Sequence, residues 1–209
     1  AKADWQILCE VAKRAGYKKM NYNHPSEVMD EIATITPIYG GISYDRLDPY
    51  GIQWPCPAKD HPGTPVLHKE KFTRGKGVFM PRPYIPPAEQ TDNEYNFVLS
   101  TGRVYWHWHT RTMTNRTSTL ERESPEPYVE MNTEDAKELG LRDNQVVKVS
   151  SRRGTISLKV QLGHKVVKGS LFIPFHFREA AANILTICAV DPVAKIPEYK
   201  VCAVKVEKI

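Results

Sequence analysis

S-T-G-R-V-Y-W-H-W-H-T-R-T-M-T-N, Ser100 to Asn115, gathers more ring, hydroxyl and cationic groups than any other stretch of this 209-residue chain. Phe97, Val98 and Leu99 ahead of it read as a buried strand. Thr101-Gly102-Arg103 then offers a hydroxyl, a glycine that lets the backbone come close and a guanidinium, parts that suit an anionic, polar ligand. Were the strand to continue, Tyr105, His107 and His109 would line one face and Trp106, Trp108 and Thr110 the other. Thr112, Met113 and Thr114 would follow as a turn or a helix start.

Downstream of this stretch the pattern is that of a small β-rich domain. Tyr128 to Met131 reads as a strand, and Asn132-Thr133-Glu134-Asp135 caps a helix, Ala136 to Leu139, that stops at Gly140. Gln145 to Ser151 and Thr155 to Leu162 alternate and are β-branched, joined through Arg152-Arg153-Gly154 as a hairpin. Ser170 to Phe175 is another strand, Glu179 to Leu185 one or two helical turns, and Tyr199 to Val206 a last alternating strand. Short strands with helical turns between them, mainly β, favour a closed or nearly closed barrel, which leaves no free strand edge.

Upstream the pattern differs twice. Residues 1–38 predict two helices. Asp4 caps the first, which carries Trp5, Leu8, Val11, Ala12 and Ala15 up to Gly16; the second opens at His24-Pro25-Ser26-Glu27 and carries Val28, Met29, Ile32 and Ile35 up to Pro37. Neither closes a core alone, which suggests that further chain precedes them. Residues 39–93 are rich in proline and glycine and hold no periodic segment; a run of about fifty such residues is an arm or a binding loop, not an ordinary connection. Its aromatics, among them Tyr44, Trp54, Phe72 and Phe79, argue for an ordered arm packed over another surface. Residues 94–209 form the barrel.

Composition narrows the function classes. At 41 % hydrophobic content the chain buries an ordinary core, and a net charge of +5 with a pI near 8.9, spread among acids, gives nucleic-acid binding little support. No stretch reaches the ~20 apolar residues of a membrane span. Cys9, Cys56, Cys188 and Cys202 lack metal-type spacing and suggest reduced thiols in a cytoplasmic protein.

Three constellations bear chemistry. His107 and His109, two apart on a strand, would share a face and hold one metal ion with Glu121, His164 or His176, as in a cupin-like metal-dependent enzyme. Cys56 and His61 invite a nucleophile pair, but closeness in sequence says little of thiol–imidazole geometry, and a structural reading is preferred. Phe175-His176-Phe177-Arg178, Asn183 and Pro197-Glu198-Tyr199-Lys200, taken with Thr101 to Thr114, supply donors and aromatic faces of the sort that recognise a large heterocycle and phosphates. An extended polar ligand fits this set better than a point metal.

The residues also carry a resemblance. S-T-G-R and H-W-H-T-R-T-M-T at Ser100 to Thr114, N-T-E-D-A-K-E-L-G at Asn132 to Gly140, V-S-S-R-R-G at Val149 to Gly154 and P-E-Y-K-V-C-A-V at Pro197 to Val204 are the strongest elements. In the arm, G-I-S-Y-D-R-L at Gly41 to Leu47, W-P-C-P at Trp54 to Pro57, H-P-G-T-P at His61 to Pro65 and F-T-R-G-K-G at Phe72 to Gly77 match as well. Over nearly its whole length the chain resembles the C-terminal portion of the catalytic subunit of molybdenum- or tungsten-dependent formate dehydrogenases, in the molybdopterin oxidoreductase family.

That resemblance implies a six-stranded double-psi β-barrel gripping a pair of pyranopterin guanine dinucleotides that hold molybdenum or tungsten. It implies that Thr101, Gly102, Arg103 and Val104 approach one dinucleotide and that His107, His109 and Thr110 add polar contacts. Phe175, Asn183, Tyr199 and Lys200 would reach the pterin or its phosphates. It implies as partners the upstream part of the same subunit, with its metal ligand, substrate-orienting residues and iron–sulfur cluster, and an electron-transfer subunit. None of the four cysteines matches a catalytic position. Where the family commonly has glycine after the histidine–threonine pair this chain has Arg111, which implies either a different turn or an added phosphate contact. The rival functions are a pterin carrier without turnover and the cupin-like enzyme.

Overall fold

Alternation is the rule that builds the barrel. In β1 (Phe97–Gly102) Phe97, Leu99 and Thr101 point inward and Val98 and Ser100 outward, and β2 (Tyr128–Asn132), β3 (Val146–Ser150) and β4 (Thr155–Gly163) repeat that pattern of buried and open positions. With β5 (Ser170–Pro174) and β6 (Val201–Lys208) they close in the order β1-β5-β2-β4-β3-β6. β1 runs parallel to β5 and β2 parallel to β4, while the other four pairings are antiparallel. The fold is a six-stranded double-psi β-barrel. Its interior is filled by Leu99, Val129, Met131, Val147, Val149, Val160, Leu171, Ile173 and Val204, all fully shielded from solvent.

The computed structural model describes all residues from Ala1 to Ile209, in two compact units, Ala1–Pro81 and Arg82–Ile209. The division falls inside the Pro-rich stretch. In the first unit, α1 (Asp4–Arg14) and α2 (Pro25–Ile35) form where periodicity places them. Asp4 is the first helical residue, with Ala3 as its cap, and the His24 ring accepts the Ser26 N–H that opens α2. The stretch after them is ordered around Arg46, which follows Tyr44 and Asp45 in the one-turn α3 (Tyr44–Leu47). Its guanidinium donates to the carbonyls of Gly41, Ala58 and His61. Gly41 is required there, because a Cβ would collide with the Ala58 carbonyl.

In the second unit the segment before β1 is strapped to the barrel by Glu89. Its carboxylate accepts from both guanidiniums of the β3–β4 turn, Arg152 at 2.7 Å and Arg153 at 2.8 Å, and from the Ala203 N–H of β6 at 2.8 Å. Burial alone would raise this carboxyl, but the bonds from Arg153, Ala203 and Arg152 outweigh it and hold the group down at about 2. Between β1 and β2 lies the one-turn α4 (Ser118–Glu123). The helix after β2, α5 (Thr133–Glu138), is capped by Asn132, whose side chain accepts the Glu134 N–H at 2.9 Å.

Candidate functional site

β1 stops at Gly102 because its neighbour stops there. β5 ends at Pro174, and the last link between the two strands is Phe175 N–H to the Gly102 carbonyl at 3.1 Å. Residues 103–113 are therefore a loop, not the continued strand that the alternation of Tyr105, His107 and His109 suggests. His109 and Arg111 take left-handed conformations, φ 46° and 66°, which no strand contains. That corrects the shared-face arrangement of His107 and His109.

The two imidazoles go to opposite fates. His107 is buried: its Nε2 donates to the Ser124 carbonyl at 2.8 Å, and its Nδ1 pairs with the Thr114 hydroxyl at 3.0 Å. With both nitrogens used inside the loop, His107 has none to offer a ligand. His109 is exposed and 3.4 Å from the Arg103 guanidinium, which also lies over the Trp108 ring. Glu121 pairs with Arg111, and the His164 ring faces the Thr133 hydroxyl. No group of three or more His, Cys, Asp or Glu side chains is placed to hold a metal ion. The cupin-like arrangement is thus overturned by the turn geometry.

Of the other expected residues, Thr101, Gly102, Phe175, Tyr199 and Lys200 come together at this end of the barrel. Buried Thr101 donates its hydroxyl to the Tyr199 carbonyl at 3.0 Å, and the Lys200 ammonium sits over the Tyr199 ring. Phe175 is tied to Gly102, where a Cβ would meet the Phe172 ring at 2.7 Å, so glycine alone fits without displacing it. Asn183 lies exposed in the 3₁₀ turn Ala182–Ile184, and Thr110 is exposed beside Thr112. Beside this end a groove of about 640 Å³ runs over the outer face of β1, β5 and β2. Arg103, Val104, Trp106, Glu130, Lys165 and Phe172 are among its walls.

Two features of the site go beyond the sequence reading. Glu130 and Tyr128 face the groove because they occupy the outward positions of β2, so alternation could have flagged them; burial and Glu130 push the Tyr128 hydroxyl up to about 12, leaving it a neutral donor. His176 is named in sequence as a donor, but its unpartnered burial is not signalled there. It is only 8 % exposed, packs on Phe177 and His107 with ring centroids 4.1 and 5.0 Å away, and neither of its ring nitrogens has a partner. Burial, then His107 and Arg111, lower it to about 4, so it is a neutral imidazole with one free donor and one free acceptor. In the other unit, Cys56 is fully buried and donates to the His61 carbonyl, while the His61 ring accepts from Gly63 N–H, so thiol and imidazole are not paired.

Comparison with known proteins agrees in each direction. The model of the Molydopterin dinucleotide binding domain matches residues 97–203. The F420-dependent formate dehydrogenase subunit alpha of Methanocaldococcus jannaschii is 47 % identical over 209 residues, 99 % of this chain and 31 % of that protein. Formate dehydrogenase H of Escherichia coli is 39 % identical, over 100 % of this chain and 30 % of that one. The assimilatory nitrate reductase catalytic subunit of Bacillus subtilis is 35 % identical, over 99 % and 31 %. Among solved structures, acetylene hydratase from Pelobacter acetylenicus shares the fold with a TM-score of 0.68 at 16 % identity, covering 100 % of this chain and 33 % of that one. The chain spans about a third of the length of the curated relatives it matches.

Proposed function

The chain belongs to the family of molydopterin dinucleotide binding domains, and from that premise we propose that it is the cofactor-gripping C-terminal part of a formate dehydrogenase-like oxidoreductase. The observation that carries this reading is the crowding of directional donors at one end of a closed barrel, within the residues that the family model matches. The ligand of this reading is a pair of molybdopterin guanine dinucleotides with molybdenum or tungsten. The chemistry of the site fits such a group. His176 holds two unused nitrogens, and the open side chains, Arg103, His109, Thr110, Asn183 and Lys200, offer guanidinium, imidazole, hydroxyl, amide and ammonium groups.

In this arrangement Thr101, Gly102, Arg103 and Val104 hold one dinucleotide at the end of β1, and His109 and Thr110 contact it from the loop. Phe175, Asn183, Tyr199 and Lys200 reach the pterin or its phosphates from the segments that follow β5 and precede β6. His107 serves the same set from within, as an anchor. When bound, the cofactor supplies two-electron chemistry, formate to carbon dioxide, that protein side chains do not. The side chains of this barrel bind, orient and exclude water. Relatives named for formate, nitrate and acetylene share the barrel, which supports giving it the cofactor and leaving substrate choice to other parts of the enzyme.

The upstream part of the same subunit carries the metal ligand and an iron–sulfur cluster in this reading, and an electron-transfer subunit takes the electrons. Open apolar positions on α1, Ile7, Leu8 and Val11, support a docking surface for that upstream part. No helix is long and apolar enough to cross a membrane. Four unpaired thiols, three of them buried, support a cytoplasmic setting. The test is metal analysis of the natively purified enzyme together with release of the pterin as its fluorescent oxidised form. Molybdenum or tungsten with about two guanine nucleotides per metal is the expected result. Zinc or iron, with neither pterin nor guanine, overturns the reading.

A further inference from the structure

Arg111 stands where a glycine suits the backbone. Its φ of 66° is uncommon for any residue but glycine, and its N–H closes a tight turn onto the Trp108 carbonyl at 2.9 Å. Its side chain turns inward and is only 12 % exposed. Nε donates to Glu121 at 3.1 Å and Nη2 donates to the other oxygen of the same carboxylate, a two-point fork. Nη2 also reaches the Pro125 carbonyl at 3.2 Å, Nη1 lies 3.7 Å from Glu179, and the guanidinium plane covers the Phe177 ring at 4.8 Å. One side chain thereby joins three segments: the loop 103–113, the stretch 114–125 that includes α4, and the turn after β5. Nε and Nη2 are both engaged with protein oxygens, and Nη1 is turned toward Glu179.

We propose that Arg111 is a positioning residue: by its fork to Glu121 and its contacts with Glu179 and Phe177 it fixes the loop that presents Arg103, His109 and Thr110 to the dinucleotide. The proposal rests on the dinucleotide reading for its ligand, though not for the clamp itself. The clamp is local. Glu121 and Glu179 keep 30 % and 57 % of their side-chain surface in water, so they remain solvated when the arginine is removed. Glycine at 111 would accept the left-handed turn without strain, so Arg111→Gly removes the tie while leaving the backbone its preferred form. His107 anchors the same loop by a separate pair of bonds, which keeps such a variant folded.

The experiment compares the purified holoenzyme with its Arg111→Gly, Glu121→Gln and Arg111→Lys variants. It reads hydrogen exchange peptide by peptide, melting temperature and the rate at which guanine nucleotide is lost on dilution. Arg111→Gly and Glu121→Gln should speed exchange across residues 103–116 while the barrel strands keep theirs. Each should release nucleotide about tenfold faster, equivalent to one interaction of about 1.4 kcal/mol. Arg111→Lys, which keeps the charge without the planar fork, should fall between them and the parent. Unchanged exchange over 103–116 in Arg111→Gly overturns the proposal, and so does faster exchange spread over the whole barrel. A parent enzyme without guanine nucleotide defeats the dinucleotide reading instead, and the exchange data still decide the clamp.

Discussion

Residues 82–209 and residues 1–81 solve the burial problem in different ways. The barrel turns the inward residues of six strands onto one another and shields a continuous core. In the first unit α2 buries no residue and α1 only Cys9, and the shielded side chains gather instead around the polar Arg46 knot, at Ile42 and Cys56. Both helices are nevertheless as regular as any strand in the barrel. Periodicity therefore reveals that an element will form and which face is apolar, while the surface that covers that face is information of another kind.

The largest expected effect tests the barrel side of this contrast. Leu171→Ala removes a fully buried side chain of β5 and should destabilise the chain by about 2–5 kcal/mol in urea unfolding. A cost near zero would mean that the closed core is not what holds the unit. Next comes the Glu89 strap, whose loss in Glu89→Gln should cost about 1–3 kcal/mol, because Arg152, Arg153 and the Ala203 N–H keep weaker partners. The sign with pH follows from a carboxyl depressed from 4.5 to about 2: the contribution is complete above 4.5 and fades as pH falls through that window towards 2. Unfolding profiles of the parent and Glu89→Gln should converge there, and parallel profiles would remove the strap from the account.

His176 has the same sign with pH as Glu89, in a higher window. Its lowered value, about 4 against 6.5, means that the unfolded chain takes up a proton the folded chain refuses. Folded stability is thus full above 6.5, falls as pH drops from 6.5 to about 4, and levels off below. His176→Phe should flatten that slope and, by removing two unpartnered nitrogens, leave the chain alone as stable at pH 7 or more so by up to about 1 kcal/mol. The smallest effect belongs to the first unit. Leu8→Ala on α1, at a position 58 % exposed, should change unfolding by no more than about 0.5 kcal/mol. A loss comparable to that of Leu171→Ala would erase the contrast between the two units.

The barrel was legible because alternation is a local property: Gln145 to Ser151 and Thr155 to Leu162 announce their pairing through the turn between them, and β3 and β4 form there with Val147 facing Leu158. The loop 103–113 was misread by the same rule. Tyr105, His107 and His109 alternate as a strand would, but pairing depends on a neighbour, and β5 ends at Pro174. Thr101 and Tyr199 could be named as site candidates from their residue types, whereas the bond between them, across 98 positions, could not. Nor could the grip of Glu89 on Arg153, or the orphaned state of His176, which is defined by neighbours drawn from three separate segments.

Closure has a consequence in time. β1 pairs with β5 and β6, so Phe97 faces Val204, and two of the pairings are parallel, the kind that needs a long crossover before it can form. Contacts of such separation slow folding. On the ribosome, Phe97–Gly102 emerges long before Val201–Lys208 and waits for it, with Thr101 unable to reach Tyr199 in the meantime. The end of the barrel proposed to bind is hence one of the last parts of this segment to exist. A nascent chain stalled anywhere before β6 carries nearly every loop of the site and still has no place to seat a cofactor.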